Sequence, residues 1–336
     1  MKAFDELTAE ELDAWHRLRA ANPALDSPYF HPGFAAAVHE FAKVHVAVSR
    51  NGRGEIDALM ACHRDGARLR PVGWPGADFQ GPIRAPGTPF RPLELLGGLE
   101  FDHLLEQEGF EPWVVTRRAS PYVDVTGGLD GYLGRASRTG KENMGQARRR
   151  AAKAERTLGP VRFEADTVDP EALEQVVRLK RAQYAATGAR DYFAEPGRIE
   201  LLTKLLHTRD PDFGGVLSTV HAGPHLLAAH FGMRSGGVLH WWFPVYDPVH
   251  SGLAPGWILL RELVRAAPAL GLTRIDLGRG DDEYKRRAKT GESVVCQGVV
   301  TRSRLRLAAR RARDALAARA RQSERLRALA RKIRNL

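Results

Sequence analysis

Residues 238–285 constrain this chain more than any other stretch. An apolar, aromatic run over 238–246, with Trp241-Trp242-Phe243 at its centre, has the composition of a buried strand. It runs into a turn at 247–255. Gly256 then opens an apolar helix over 257–267, which Leu270-Gly271 closes. A second strand at 273–277 leads into Gly278-Arg279-Gly280-Asp281-Asp282-Glu283-Tyr284-Lys285. Strand, sharp turn, helix with Pro-Gly in its first turn, and strand again form a phosphate-cradling outline. Free backbone N–H groups and the positive helix end can receive a pyrophosphate there.

The elements before it narrow the choice. Residues 129–159 are polar and basic, include Arg148-Arg149-Arg150, and predict one or two helices linking two halves. Next come a strand at 161–166, helices at 170–186 and 196–207, and strands at 214–221 and 225–234. Ala222-Gly223-Pro224 and Ser235-Gly236-Gly237 supply the hairpin turns. A last strand follows at 293–301. Two helices, an antiparallel meander, then strand–helix–strand predict an α/β (α+β) sandwich on a mixed, largely antiparallel sheet.

The first half reads as a capped helix from Thr8 to Ala21, a helix at 32–41, and strands at 43–49, 55–63 and 67–73. A helix at 93–107 and strands at 112–116 and 122–125 complete it. The Gly- and Pro-rich residues 73–92 fit either a cleft wall or plain surface connection. The resulting domains are 1–128, a connector at 129–159, 160–301, and a tail at 302–336.

Charge is concentrated in that tail. It holds twelve Arg and Lys332 against Asp314 and Glu324, which accounts for the whole net charge of +11. The body is neutral. Apolar Leu305, Ala309, Ala312 and Leu316, then Leu326, Leu329 or Ala330, and Ile333 recur at helical spacing. Three readings fit: an anionic membrane, where each basic residue adds about 1 kcal/mol; nucleic-acid phosphates; or a solvated helix packed on the body. Cys62 and Cys296 stand alone, the start at Met1 has no apolar leader, and no run reaches membrane length. A reducing cytoplasm is the expected setting.

The order of elements resembles the second half of the GNAT acyltransferase fold. More closely, the chain is similar to the cellulose-biosynthesis, or BioF2-like, acetyltransferases, relatives of the Fem peptidoglycan aminoacyltransferases. The marks span most of residues 27–290. They are Ser27-Pro28-Tyr29-Phe30-His31-Pro32, Pro71-Val72-Gly73, Asp78-Phe79-Gln80-Gly81, Tyr122-Val123-Asp124, the basic segment at 143–150, and Tyr246-Asp247-Pro248. Pro255-Gly256, Asp276-Leu277-Gly278-Arg279-Gly280 and Tyr284-Lys285 follow. The resemblance implies tandem GNAT-like domains, the first degenerate. It also implies acetyl-CoA or another acyl-CoA as donor, with Tyr246, Ala254, Pro255, Gly256 and Trp257 around it. Ala254 departs from the family's usual Ser and so lacks a hydroxyl for phosphate.

Acyl transfer needs a neutral nucleophile, a polarised carbonyl and a proton for the departing thiolate. His240 and Asp276 are candidate bases on strands bordering the cleft; equally, His240 reads as a hydrogen-bonded core histidine and Asp276 as a turn cap. From the resemblance, Tyr284 would protonate the thiolate and Lys285 would stabilise the oxyanion. Gly278-Arg279-Gly280 lacks the third glycine of a dinucleotide loop, and Asp281-Asp282-Glu283 would repel phosphate. It reads as a mobile acidic loop beside a substrate or as a solvated turn. No zinc, Walker or nucleophile-elbow motif occurs, so no metal is expected. The reading is an acyl-CoA-dependent N- or O-acyltransferase acting on a glycan, amino sugar or other amine. The alternatives are a Fem-like transferase using aminoacyl-tRNA and a non-catalytic scaffold at the membrane surface.

Overall fold

The computed structural model describes residues 1–66 and 68–322. The chain folds as two compact units built from interleaved segments. One comprises residues 1–21, 43–118 and 294 onward; the other comprises 22–42 and 119–293. The sequence predicts consecutive domains, with boundaries at 128, 159 and 301. Interleaving arises because two strands, at Val114–Asp124 and Gly291–Val300, each run through both units.

In the first unit, β1 (Lys2–Ala3), β2 (His45–Arg50), β3 (Ile56–Asp65) and β4 (Arg68–Pro71) pair in that order, with β5 (Ile83–Arg84) also on β3. The helix Ala9–Ala20 starts as its sequence dictates. The Thr8 hydroxyl accepts from the Glu11 N–H, and the Glu11 carboxylate accepts from the Thr8 N–H. Residues 93–107 do not form the expected helix. Only Pro92–Leu96 is helical; Gly97, at φ 69°, ends it, and β6 (Leu99–Leu105) follows. Leu99 and Phe101 point inward at a strand's period of two, a bulge then brings Leu104 into the same core, and Phe101 packs edge-on against Phe110. Cys62 and Cys296 are free thiols, and burial pushes them up to about 12 and about 11.

In the second unit, β7 (Val114–Asp124) is one strand where two were expected, because Ser120-Pro121 does not interrupt it. Then come β8 (Val161–Thr167), β9 (Phe213–Ala222), β10 (His225–Ser235), β11 (Val238–Tyr246) and β12 (Arg274–Asp276). The spatial order is β7-β12-β11-β10-β9-β8. Every pairing among these is antiparallel except β11 with β12, which is parallel because the helix Pro255–Ala266 carries the chain back between them. That helix buries Ile258, Leu259, Leu263 and Val264 in one core with Val220, Leu239, Trp241 and Ile275. The predicted connector is two helices, Gly128–Arg135 and Arg138–Leu158. The helices Pro170–Thr187 and Arg198–His207 complete the unit. The architecture is the α+β class expected, with a mixed sheet. Strand β13 (Gly291–Val300) closes the chain's sheet elements and pairs with β6 in the first unit.

The basic helix is observed over Arg304–Gln322. Its expected continuation through Leu326, Leu329 and Ile333 lies outside the described residues. Among the described residues no helix is long and apolar enough to cross a membrane.

Candidate active site

The site arises where two parallel strands part. Pairing between β11 and β12 covers only Val238–His240 with Arg274–Asp276. Beyond His240, β11 continues six residues to Tyr246, whereas the other strand turns away at Leu277-Gly278. A bulge adds to this divergence: Phe231 faces Phe243 but Met233 faces His240, so β11 holds one extra residue at Trp241-Trp242. Trp241 is buried against the Pro255 helix and stacks on His230 at 4.2 Å, while His240 and Trp242 both meet Tyr29. His230 is fully buried, and desolvation lowers its imidazole to about 3, so it stays neutral.

A cavity of about 330 Å³ occupies the divergence. Tyr246, Ala254, Pro255, Gly256 and Trp257 all line it, as does Tyr284. Trp241, Val245, Leu259 and Leu260 give it apolar walls, with Gln183 and Ser251 as polar points. Asp247 begins the turn by accepting from the Val249 N–H at 3.0 Å. The turn ends at Ala254, whose φ of 45° makes it the one non-glycine residue with positive φ among the described residues. That left-handed corner costs roughly 1–2 kcal/mol, and it aims the start of the Pro255 helix into the cavity. No side chain caps this helix start. Pro255 carries no N–H and the Trp257 N–H donates to the Ala254 carbonyl at 3.0 Å, so in the first turn it is the Gly256 amide, at a positive helix end, that suits phosphate.

Ser251 was not picked out from the sequence. It stands three residues before Ala254 and places a hydroxyl-bearing residue on the same cavity, the chemistry that Ala254 itself lacks. A Ser in the turn leading to an uncapped helix was the only available signal.

The remaining predicted residues lie off the cavity wall. His240 and Asp276 are register partners on neighbouring strands, both buried at the point where those strands part. Asp276 is 1% exposed, and burial raises its carboxyl above an aspartate's usual range; Arg274 and His240 oppose that rise. Arg274 donates through Nε to Asp276 at 2.9 Å, and through Nη1 and Nη2 to Asp26 at 2.8 and 2.6 Å. Burial draws the guanidinium down, but Asp276 and Asp26 outweigh it and the net shift is upward. Arg274 and Asp26 were missed in the sequence because 248 positions separate them.

Lys285 is buried, and its ammonium donates to the carbonyls of Gly278 at 3.1 Å and Arg279 at 3.0 Å. Arg286 donates to the Asp281 carbonyl at 2.5 Å. The Gly278-Arg279-Gly280 loop is thus fastened from the helix Glu283–Ala288, while Asp281, Asp282 and Glu283 are exposed. Among the described residues, no group of three or more His, Cys, Asp or Glu is placed to hold a metal ion.

The comparisons decide the class. Residues 141–286 match the model of the acetyltransferase (GNAT) domain. The fold is that of a GNAT acyltransferase. The match supports an acyltransferase. The solved structure of L-PGS from Bacillus licheniformis is similar at a TM-score of 0.55 and 12% identity, covering 90% of this chain and 96% of that one. FemX is similar at 0.54 and 12%, covering 88% and 95%. A protein of unknown function from Bacteroides thetaiotaomicron gives 0.52 and 11%, covering 87% and 98%. At these identities the likeness is one of fold. No curated protein matches the sequence.

Proposed function

We propose that this GNAT acyltransferase takes acyl-CoA as donor and transfers the acyl group to an amine or hydroxyl of a glycan, amino sugar or other small acceptor. The observation that carries the reading is the cavity at the strand divergence, lined by the uncapped helix start from Ala254 to Trp257. The Gly256 amide and the positive helix end would hold the pyrophosphate, Ser251 would add a hydroxyl, and Trp241, Val245 and Leu259 would flank the pantetheine arm. Bound acyl-CoA supplies the thioester. The BioF2-like grouping and a degenerate GNAT-like first unit remain part of this reading, supported by the sequence marks at 71–81 and 276–285.

The chain's own residues divide the proton work. Tyr284 lines the cavity and would give its phenolic proton to the departing thiolate. Asp276, with its raised carboxyl beside His240, would take the proton that an amine acceptor loses. Lys285 acts through the loop it fastens. Titration calorimetry with acetyl-CoA and longer acyl-CoAs, followed by thiol release, tests the reading; absence of binding to every acyl-CoA removes it. Tyr284→Phe should leave binding within about twofold and slow thiol release by about 10²-fold or more. Unchanged release would take the acid role from Tyr284.

A second reading exchanges the donor for aminoacyl-tRNA. Its support is the fold shared with FemX and L-PGS, together with exposed Arg148, Arg149 and Lys153 on the helix Arg138–Leu158. Affinity for tRNA that falls steeply with salt would favour it, and a flat response would remove it.

A further inference from the structure

The helix Arg304–Gln322 is attached to the first unit by its polar side. Arg310 donates to Glu100 at 2.8 Å and to Asp314 at 3.1 Å, and Leu307, Arg310 and Asp314 are half-buried. At 100° per residue, Leu305, Ala309, Ala312 and Leu316 form a stripe on the opposite side. That stripe is exposed: Leu305 is 84% and Leu316 64% accessible, and both alanines are open to solvent. An apolar stripe of a surface helix normally turns toward the core. Here the inward positions are Leu307 and the ion-paired Arg310 and Asp314, and the outward ones are two leucines and two alanines.

Exposed arginines border the stripe on both sides, Arg306 and Arg313 along one and Arg304 and Arg311 along the other. On the Arg306 side a cavity of about 260 Å³ is lined by Arg68, Glu100, Arg306, Arg310 and Arg313, four guanidinium groups around one carboxylate. Apolar residues outermost and cations beside them describe a helix lying in a lipid interface, with its leucines among acyl chains and its arginines at headgroup level. Nucleic acid would use the arginines but leave both leucines in water. We infer that residues 304–316 dock the protein on an anionic phospholipid surface, with the Arg68–Arg306–Arg313 cavity receiving a lipid phosphate.

The test is sedimentation of the full chain with phosphatidylglycerol-containing vesicles and with phosphatidylcholine vesicles alone. Wild type should pellet with the anionic vesicles and remain in solution with the neutral ones. Leu305→Ser with Leu316→Ser should weaken anionic binding about tenfold or more. Because both leucines are exposed, the melting temperature and acyl-CoA affinity should not move. Arg306→Gln with Arg313→Gln should weaken binding and flatten its salt dependence. Undiminished pelleting of the leucine variant overturns the inference. So does a tRNA complex that survives loss of both leucines where vesicle binding is absent, or a dimer that loss of the leucines dissolves.

Discussion

Gly256→Ala should make the protein slightly more stable and a poorer binder of acyl-CoA. A Cβ built on Gly256 meets no atom within 4 Å, and its backbone is helical, so the methyl needs no rearrangement. Replacing glycine by alanine in a helix gains up to about 1 kcal/mol, because the unfolded chain loses freedom it would otherwise regain. The open space the methyl enters is the cavity itself, since Gly256 lines it. A pyrophosphate approaching the Gly256 amide would be displaced by the methyl, and the affinity loss should be about tenfold or more, equivalent to about 1.4 kcal/mol. Thermal melting and calorimetry on the same preparation separate the two effects. A variant that is both stabilised and fully competent would show that the donor does not approach this helix start.

The largest effect on stability should come from Arg274→Met. Arg274 is the cation opposite Asp276, a carboxylate enclosed by the sheet, and it also holds Asp26. Removing one partner from a buried pair leaves the other desolvated and uncompensated, which costs about 3–5 kcal/mol. The cost should depend on pH with a definite sign. Burial already raises the Asp276 carboxyl, and without Arg274 it rises further, so the folded variant binds a proton more readily than the unfolded chain. Stability is then retained below an aspartate's usual range and lost as pH rises through the raised folded value. The melting-temperature gap between variant and wild type should therefore widen from about pH 4 toward neutrality. A gap independent of pH would mean that Asp276 is not the group left exposed to the loss. If Asp276 takes the amine's proton, transfer should show its acid limb above the ordinary carboxylate range.

Much of the second unit could be read directly. Its hairpins are announced by Ala222-Gly223-Pro224 and Ser235-Gly236-Gly237, and its helices by apolar residues three and four apart. Those are local signals, and local structure obeyed them. The failures share a different origin. Leu93-Glu94-Leu95-Leu96 reads as the start of a helix, but Gly97 takes a positive φ and ends it, and Leu99 and Phe101 then alternate as a strand. Pro121 marks a break in most strands, yet β7 continues through it. At the site, most cavity-lining residues fall within 241–260, with Gln183 and Tyr284 apart, so their spacing is informative. The Arg274–Asp26 clamp and the β6–β13 pairing join positions far apart in the chain, where no periodicity reports contact.

The interleaving of segments sets a lower limit on how much chain the acyl site requires. Residues 141–286 are the stretch that matches the GNAT domain, and they invite excision as a minimal enzyme. Such a piece would leave behind Asp26, and with it both of the Arg274 hydrogen bonds to that carboxylate. It would leave behind Tyr29, whose ring covers His240, and β7, whose Tyr122, Val123 and Asp124 pair with β12 residue by residue. The short strand carrying Asp276 would become a sheet edge, with its polar network opened to water. Heredity of the catalytic stretch and heredity of its support are therefore separate matters: a gene fragment that kept every cavity residue would still not inherit a working site.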